Sequence, residues 1–89
     1  MKEALWFYGD VNYGAEVIAG ENVIVLGTLR GLAHAGANGN GEAIISAGAF
    51  ETNQMRISNV VKEFEKEEFS NSIIKTNAYL NDAGTMIIE

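Results

Sequence analysis

The sequence lacks cysteine and proline, and it holds one histidine, one tryptophan and six lysine or arginine residues among 89. Without cysteine, a disulfide scaffold and a thiolate-based metal site are excluded. One histidine and scattered carboxylates show no spacing typical of metal ligands, so we expect no metal and no cofactor. Twelve acidic residues outnumber the six basic ones, which gives a net charge of −6. This charge balance argues against nucleic-acid binding, which depends on clustered basic side chains.

Long apolar stretches and targeting signals are also missing. The apolar runs are far shorter than the roughly 20 residues that span a bilayer, and no secretory signal peptide follows Met1. We therefore expect any contact with a membrane to be indirect. The apolar content of 47% and the charged content of 20% are typical of a globular protein. The length predicts a single domain over 1–89, small enough to gain stability from a partner subunit.

What the sequence does contain is a repeat anchored on glycine. Three apolar runs align on Gly9, Gly27 and Gly48, which follow one another at intervals of 18 and 21 residues. Repetition at about this interval is typical of a solenoid, in which each coil buries its apolar side on the next. The pattern predicts an all-β, three-sided stack of coils over residues 5–58.

The runs before these glycines are apolar at both alternate sets of positions. Side chains of a strand alternate between its two faces, so one set faces the core and the other faces outward. Two explanations remain open: residues 60–89 fold back over the outward set, or a second copy of the chain covers it. We favour a homodimer, because strands that are apolar on both sides are usually buried on both sides. The predicted dimer interface consists of Trp6, Tyr8, Ile24, Leu26 and Ile45.

The last third of the chain departs from the repeat. Asn59 is a suitable cap for a short helix over about 60–69, whose apolar positions form a narrow stripe. Terminal strands are predicted over 73–89, with a hairpin turn over 81–84. Such a hairpin would cover strand edges that otherwise invite aggregation.

No arrangement of residues predicts catalysis. Hexapeptide acyltransferases use a histidine as their catalytic base, and His34 is the one histidine of this sequence. However, no strict six-residue repeat and no orienting carboxylate accompany it. We therefore expect a protein that is not an enzyme and has no catalytic residues. Arg30, flanked by Asn12 and Glu51 in the aligned repeats, is explained either as a solvated charge ladder or as part of a partner contact.

Two segments carry a family resemblance: GDVNYGAEVIAG at 9–20 and GTLRGLAHAGANGN at 27–40. Together with QMRIS at 54–58 and the terminal segment 78–89, they resemble the C-terminal domain of MinC, a bacterial inhibitor of cell division. The resemblance implies a right-handed three-sided β-helix that dimerises through one face. It also implies binding to MinD, a membrane-associated ATPase, and a block on FtsZ ring assembly. The protein would then be cytoplasmic and peripheral to the inner membrane through MinD.

The resemblance also suggests which residues meet these partners. The matching positions are Asp10, Asn12, Gly14, Glu16 and Arg30, which we expect to contact MinD or division-ring components. The chain departs from the family in beginning after the coil that bears an Arg-Ser-Gly-Gln motif, and in having Tyr13 where proline is common. The alternative is therefore a truncated β-solenoid that serves as an oligomerisation or structural module and does not bind MinD.

Overall fold

A computed structural model describes residues 4–69 and 74–89 of the chain. Their regular structure is nine strands and one short 3-10 helix. The elements are β1 (Ala4–Tyr8), β2 (Glu16–Ile18), β3 (Asn22–Leu29), β4 (Leu32–Ala35), β5 (Ile45–Phe50), β6 (Gln54–Ile57), β7 (Val60–Glu63), the 3-10 helix (Lys66–Phe69), β8 (Asn77–Leu80) and β9 (Met86–Ile88).

The strands form two sheets. The first sheet has the order β1-β3-β5-β8-β9 and the second has the order β2-β4-β6-β7. Strands β1, β3 and β5 are parallel to one another, as are β2, β4 and β6, whereas β7, β8 and β9 are added in antiparallel pairing. The chain therefore alternates between the sheets along residues 4–57, and the expected all-β class is observed.

The expected right-handed three-sided β-helix is wrong, because the strands form two mixed sheets and neither sheet is closed. Within the described residues, the expected third side is reduced to one isolated bridge between Val11 and Leu29. The reason lies in β3, which runs through Gly27 to Leu29 as one strand of eight residues instead of ending at the glycine. A β-helix would continue with another parallel coil. Here antiparallel strands follow instead, and they make each sheet mixed.

The predicted helix over 60–69 is also wrong. Ser58, with a φ of 56°, and Asn59 form a tight turn that sends Val60–Glu63 back along β6 as β7. The β-branched pair Val60-Val61 suits a strand, and the free edge of β6 supplies its hydrogen-bond partners. Only Lys66–Phe69 is helical, as a single 3-10 turn.

The predicted C-terminal hairpin is confirmed. Strands β8 and β9 pair antiparallel, and the turn between them places Gly84 at a φ of 81°. The Asn81 side chain accepts hydrogen bonds from the N–H groups of Ala83 and Thr85, which fixes this turn. Ile73, where the terminal strands were predicted to begin, lies outside the described residues.

The core lies between the two sheets and is closed at one end by aromatic rings. The largest fully buried side chains are Leu29, Ile45, Met55, Ile57, Val11, Val23 and Val25. Phe69 packs against Phe64 and Phe50, with ring centroids 5.0 and 6.1 Å apart. At the other end β1 is an edge strand, so its inward residues Leu5 and Phe7 remain exposed. No helix in residues 4–69 and 74–89 has the length and apolar character needed to cross a membrane.

Candidate functional site

The outer side of the first sheet carries several exposed apolar side chains. Trp6 is paired with Ile24 and Tyr8 with Leu26, so these four side chains share the side of the sheet opposite the core. Trp6 is 53% exposed, Tyr8 78% and Leu26 48%, while Ile24 is half-buried. Four of the five residues predicted for the dimer interface therefore form one continuous patch on β1 and β3.

The fifth predicted residue, Ile45, was assigned to the wrong face. Ile45 is 0% exposed and pairs with the core residue Val23, so it has no surface to offer a partner. The register between β3 and β5 explains the error: Val25 pairs with Ala47, but Thr28 pairs with Ala49, so β3 carries one extra residue at a bulge. Aligning the repeats on their glycines therefore gives a register that is wrong by one residue before the bulge. Because side chains alternate along a strand, the outward residue is Ile44 and not Ile45.

The hairpin extends this outer face, which the sequence reasoning missed. Ile45 pairs with Ala78 and Tyr79 pairs with Ile87, so the neighbouring residue Ile44 lies beside Tyr79 and Ile87 on the outward side. All three side chains are half-buried. Alternation within the hairpin could have revealed them, since Ala78, Leu80, Met86 and Ile88 are the residues packed on the core. We use outer face for the surface formed by Trp6, Tyr8, Ile24, Leu26, Ile44, Tyr79 and Ile87.

A second feature is an ion-pair network beside the glycine turn that follows β1. The Arg30 guanidinium contacts Asp10 Oδ2 through Nη1 at 3.2 Å and Glu51 Oε1 through Nε at 3.1 Å. Asp10 Oδ1 also accepts a hydrogen bond of 2.8 Å from the backbone N–H of Thr28. This network connects three segments that are about 20 residues apart in sequence, as the stacked repeats require.

Hydrogen bonding stabilises the charged forms of this network. The Thr28 N–H and then the Arg30 side chain lower the pKa of the Asp10 carboxyl below its usual value of 3.8. The same contacts, to Asp10 first and Glu51 second, raise the pKa of Arg30. The pKa shifts of Asp10 and Arg30 both favour the charged forms of this ion pair.

The five residues predicted to contact partners do not form one cluster. Asp10 and Arg30 are in direct contact, and Asn12 and Gly14 lie exposed in the following connection. Glu16 begins β2 and pairs with Leu32, which places it on the second sheet. The structure thus brings two of the five together, and it adds Glu51, which the aligned repeats had placed beside Arg30.

The neighbourhood of His34 offers no catalytic arrangement. Its Nε2 lies 3.1 Å from the carbonyl oxygen of Ser58, which also accepts a hydrogen bond from Arg56 Nε. These contacts secure the turn between β6 and β7. Across residues 4–69 and 74–89, no group of three or more histidine and carboxylate side chains could hold a metal ion.

Comparison with known proteins gives consistent matches. The family described as "Septum formation inhibitor MinC, C-terminal domain" matches residues 1–89. Probable septum site-determining proteins MinC from Bacillus mycoides and Bacillus thuringiensis are 40% and 38% identical over 89 residues. Each match covers 100% of this chain and 39% of the relative, so the chain spans about two fifths of their length.

A solved structure is also similar. A chain of the "MinC:MinD cell division protein complex" from Aquifex aeolicus superposes with a TM-score of 0.87 at 31% sequence identity. The match covers 97% of this chain and 70% of that chain.

Proposed function

Because the chain belongs to the family of MinC C-terminal domains, we propose that it is the partner-binding module of a cell-division inhibitor. In this proposal it binds a MinD ATPase, which brings it from the cytoplasm to the inner membrane. There it prevents septum formation at the wrong sites by blocking assembly of the FtsZ ring. It acts by binding and not by catalysis.

The observation that carries this proposal is the likeness to the Aquifex chain, which was solved in a complex with MinD. A match over nearly the whole described fold means that the same backbone surfaces are available here for a partner. The Asp10–Arg30–Glu51 network is the side-chain group that we assign to MinD, since it is charged, held in place by ion pairs, and accessible through its exposed carboxylates.

We also propose that the chain forms a homodimer through its outer face. Two copies that each carry a net charge of −6 repel one another, so a contact between them must avoid charged side chains. The outer face meets this requirement, because its seven residues are all uncharged. The outer side of the second sheet does not, because Glu16, Arg56 and Glu63 lie on it.

Co-sedimentation with ATP-loaded MinD and anionic lipid vesicles tests the MinD contact. We expect the wild-type chain to sediment with MinD, and Arg30→Gln to weaken its binding at least about tenfold, since Asp10 and Glu51 would lose their shared cation. Arg56→Gln is the matched control, because it removes an exposed arginine from the second sheet.

Three outcomes would contradict parts of this proposal. Wild-type sedimentation no greater than without MinD would overturn MinD binding and favour an oligomerisation module. Equal binding by wild type and Arg30→Gln would remove the ion-pair network from the contact. Equal losses in Arg30→Gln and Arg56→Gln would indicate a general charge effect instead of a specific site.

A further inference from the structure

We infer that Asn38 is a site of spontaneous deamidation, and that the fold protects the neighbouring Asn40 from the same reaction. The sequence contains Asn-Gly twice, at 38–39 and 40–41, in the glycine-rich loop between β4 and β5. This dipeptide favours deamidation because glycine has no side chain to shield its backbone nitrogen from the asparagine side chain. The inference is independent of the proposed function, since neither contact proposed above includes this loop.

The reaction needs water as its only co-reactant. The Gly39 backbone nitrogen loses its proton and attacks Cγ of Asn38, so a new C–N bond closes a succinimide ring. The bond from Cγ to Nδ2 breaks, and Nδ2 takes up a proton and leaves as ammonia. Water then opens the ring at either carbonyl, which gives aspartate or isoaspartate. In total one water is consumed and one ammonia released, and a neutral amide becomes a carboxylic acid that ionises.

Asn38 is open to this attack. Asn38 and Gly39 are both exposed, and apart from its chain neighbours a Cβ atom at Gly39 would meet no heavy atom within 4 Å. Within the part of the chain that the structure describes, no hydrogen bond holds the side-chain amide of Asn38. The Gly39 N–H donates a hydrogen bond of 2.9 Å to the Gly36 oxygen. Opening that one bond, in an exposed turn, frees the attacking nitrogen.

Asn40 is held at both ends of its side-chain amide. Its Nδ2 donates a hydrogen bond to Glu21 Oε2, and its Oδ1 accepts one of 2.9 Å from the Glu42 N–H. Asn40 is also half-buried. The bond to Glu21 is charge-assisted, and such bonds are stronger than those between neutral groups. Because Nδ2 must leave and Cγ must change its geometry, both bonds have to break before the Gly41 nitrogen can displace the amide.

The product alters charge where the loop meets the strands. Asn38 and Glu21 line the same hollow beside β1, so a carboxylate at position 38 faces a like charge. The loop is fastened there by hydrogen bonds of 2.9 Å from the Gly36 N–H to the Glu21 oxygen and from the Ala37 N–H to the Ala19 oxygen. Each conversion also takes the net charge one unit below −6. Deamidation at Asn38 therefore marks aged copies of the chain by charge at this attachment.

Peptide mapping by mass spectrometry tests the inference, with the purified chain incubated at mildly alkaline pH. Each deamidation appears as a mass gain of about 1 Da. We expect Asn38 to convert at least about tenfold faster than Asn40 in the folded chain, because hydrogen bonds hold the Asn40 amide. In guanidinium chloride, which removes the fold, the two rates should agree within about threefold.

A variant identifies the cause of the protection. Glu21→Ala removes the carboxylate that holds Asn40 and should speed its conversion at least about threefold, while the Asn38 rate stays within about twofold. Glu63→Ala is the matched control, since it removes an exposed carboxylate from the second sheet and should change neither rate. Circular dichroism establishes that both variants are folded.

Four outcomes would overturn parts of the inference. Conversion at Asn40 as fast as at Asn38 in the folded chain would refute the protection. A folded chain that keeps Asn38 intact while the denatured chain converts fully would refute the site. The same preference for Asn38 with and without denaturant would mean that local sequence, and not the fold, sets the two rates. An unchanged Asn40 rate in Glu21→Ala would refute the hydrogen bond to Glu21 as the cause.

Discussion

Gly27 is a position at which one added methyl group should disturb the stacked strands directly. A Cβ atom at Gly27 would lie 2.5 Å from the carbonyl oxygen of Gly9 and 2.6 Å from Asp10 Oδ1. Both atoms belong to the turn that follows β1, and the nearer one is backbone, so no side-chain rotation relieves the clash. The Gly27→Ala substitution therefore has to push β1 and its turn away from β3.

The size of the effect follows from the overlap. Overpacking a fitted contact typically costs about 1–3 kcal/mol, and β1 is an edge strand with some freedom to move, so we expect a loss of about 2 kcal/mol in the free energy of unfolding. For a domain of this size each kcal/mol lowers Tm by about 4–8 °C, which predicts a fall of about 8–16 °C. Asp10 lies in the turn that moves, so the hydrogen bond from the Thr28 N–H to Asp10 should weaken at the same time.

Thermal unfolding followed by circular dichroism measures this loss, with all variants at one protein concentration because dimerisation would shift Tm. Gly41→Ala is the matched control, since the nearest atom to its Cβ would be Leu80 Cδ1 at an ordinary 3.9 Å. Gly48→Ala should fall between the two, because its Cβ would lie 3.0 Å from the Gly27 oxygen. If Gly27→Ala unfolds at the same temperature as Gly41→Ala, the close stacking of these strands is refuted.

Two further predictions concern polar contacts. Because the pKa of Asp10 is lowered in the folded chain, its contribution to stability is present above its usual pKa of 3.8 and is lost as the pH falls below that value. Asp10→Asn should therefore have a lower Tm than wild type at about pH 6, and the difference should close near about pH 2. Thr52 is 3% exposed and donates a hydrogen bond of 2.6 Å to the Gly31 oxygen. Thr52→Val should cost about 1–3 kcal/mol in chemical denaturation, whereas Thr52→Ser keeps the hydroxyl and should cost less than about 1 kcal/mol.

Each of the two predictions on Asp10 and Thr52 would be contradicted by a specific result. A Tm difference between wild type and Asp10→Asn that is the same at both pH values would mean that the carboxylate charge contributes nothing. Equal stability of the valine and serine variants would mean that the Thr52 hydroxyl is not needed to satisfy the Gly31 oxygen.

The glycine spacing predicted the stacking but not the register. Gly27 and Gly48 do abut the glycine of the preceding repeat, as the alignment implied. The extra residue of β3 at the bulge then shifted Ile45 into the core and Ile44 outward. Because side chains alternate at every residue, a bulge of one residue reverses the face of each side chain before it. A pattern of apolar residues on both faces offers no signal that would reveal such a reversal.

The helix prediction failed for a different reason. Glu and Lys between Val61 and Phe69 favour a helix in isolation, but intrinsic propensities are small compared with the pairing and burial that a neighbouring strand offers. The edge of β6 was free, and the Ser58–Asn59 turn delivered Val60 to it. The C-terminal hairpin was predicted correctly because Asn81 and Gly84 determine their turn through local contacts alone.

Local chemistry is what the sequence by itself determined: an all-β chain, glycines where strands stack closely, a tight hairpin, an acidic surface and the motifs of a known family. Such features depend on a residue and its near neighbours in the chain, so they can be read without coordinates. Only the tertiary structure decided that there are two mixed sheets, which of Ile44 and Ile45 is outward, and that Tyr79 and Ile87 extend the face begun by Trp6. Those outcomes depend on pairings between residues that lie from 18 positions apart, as in Ala4 with Asn22, to 33 positions apart, as in Ile45 with Ala78. In such pairings a single inserted residue reverses the face of every side chain on one side of it.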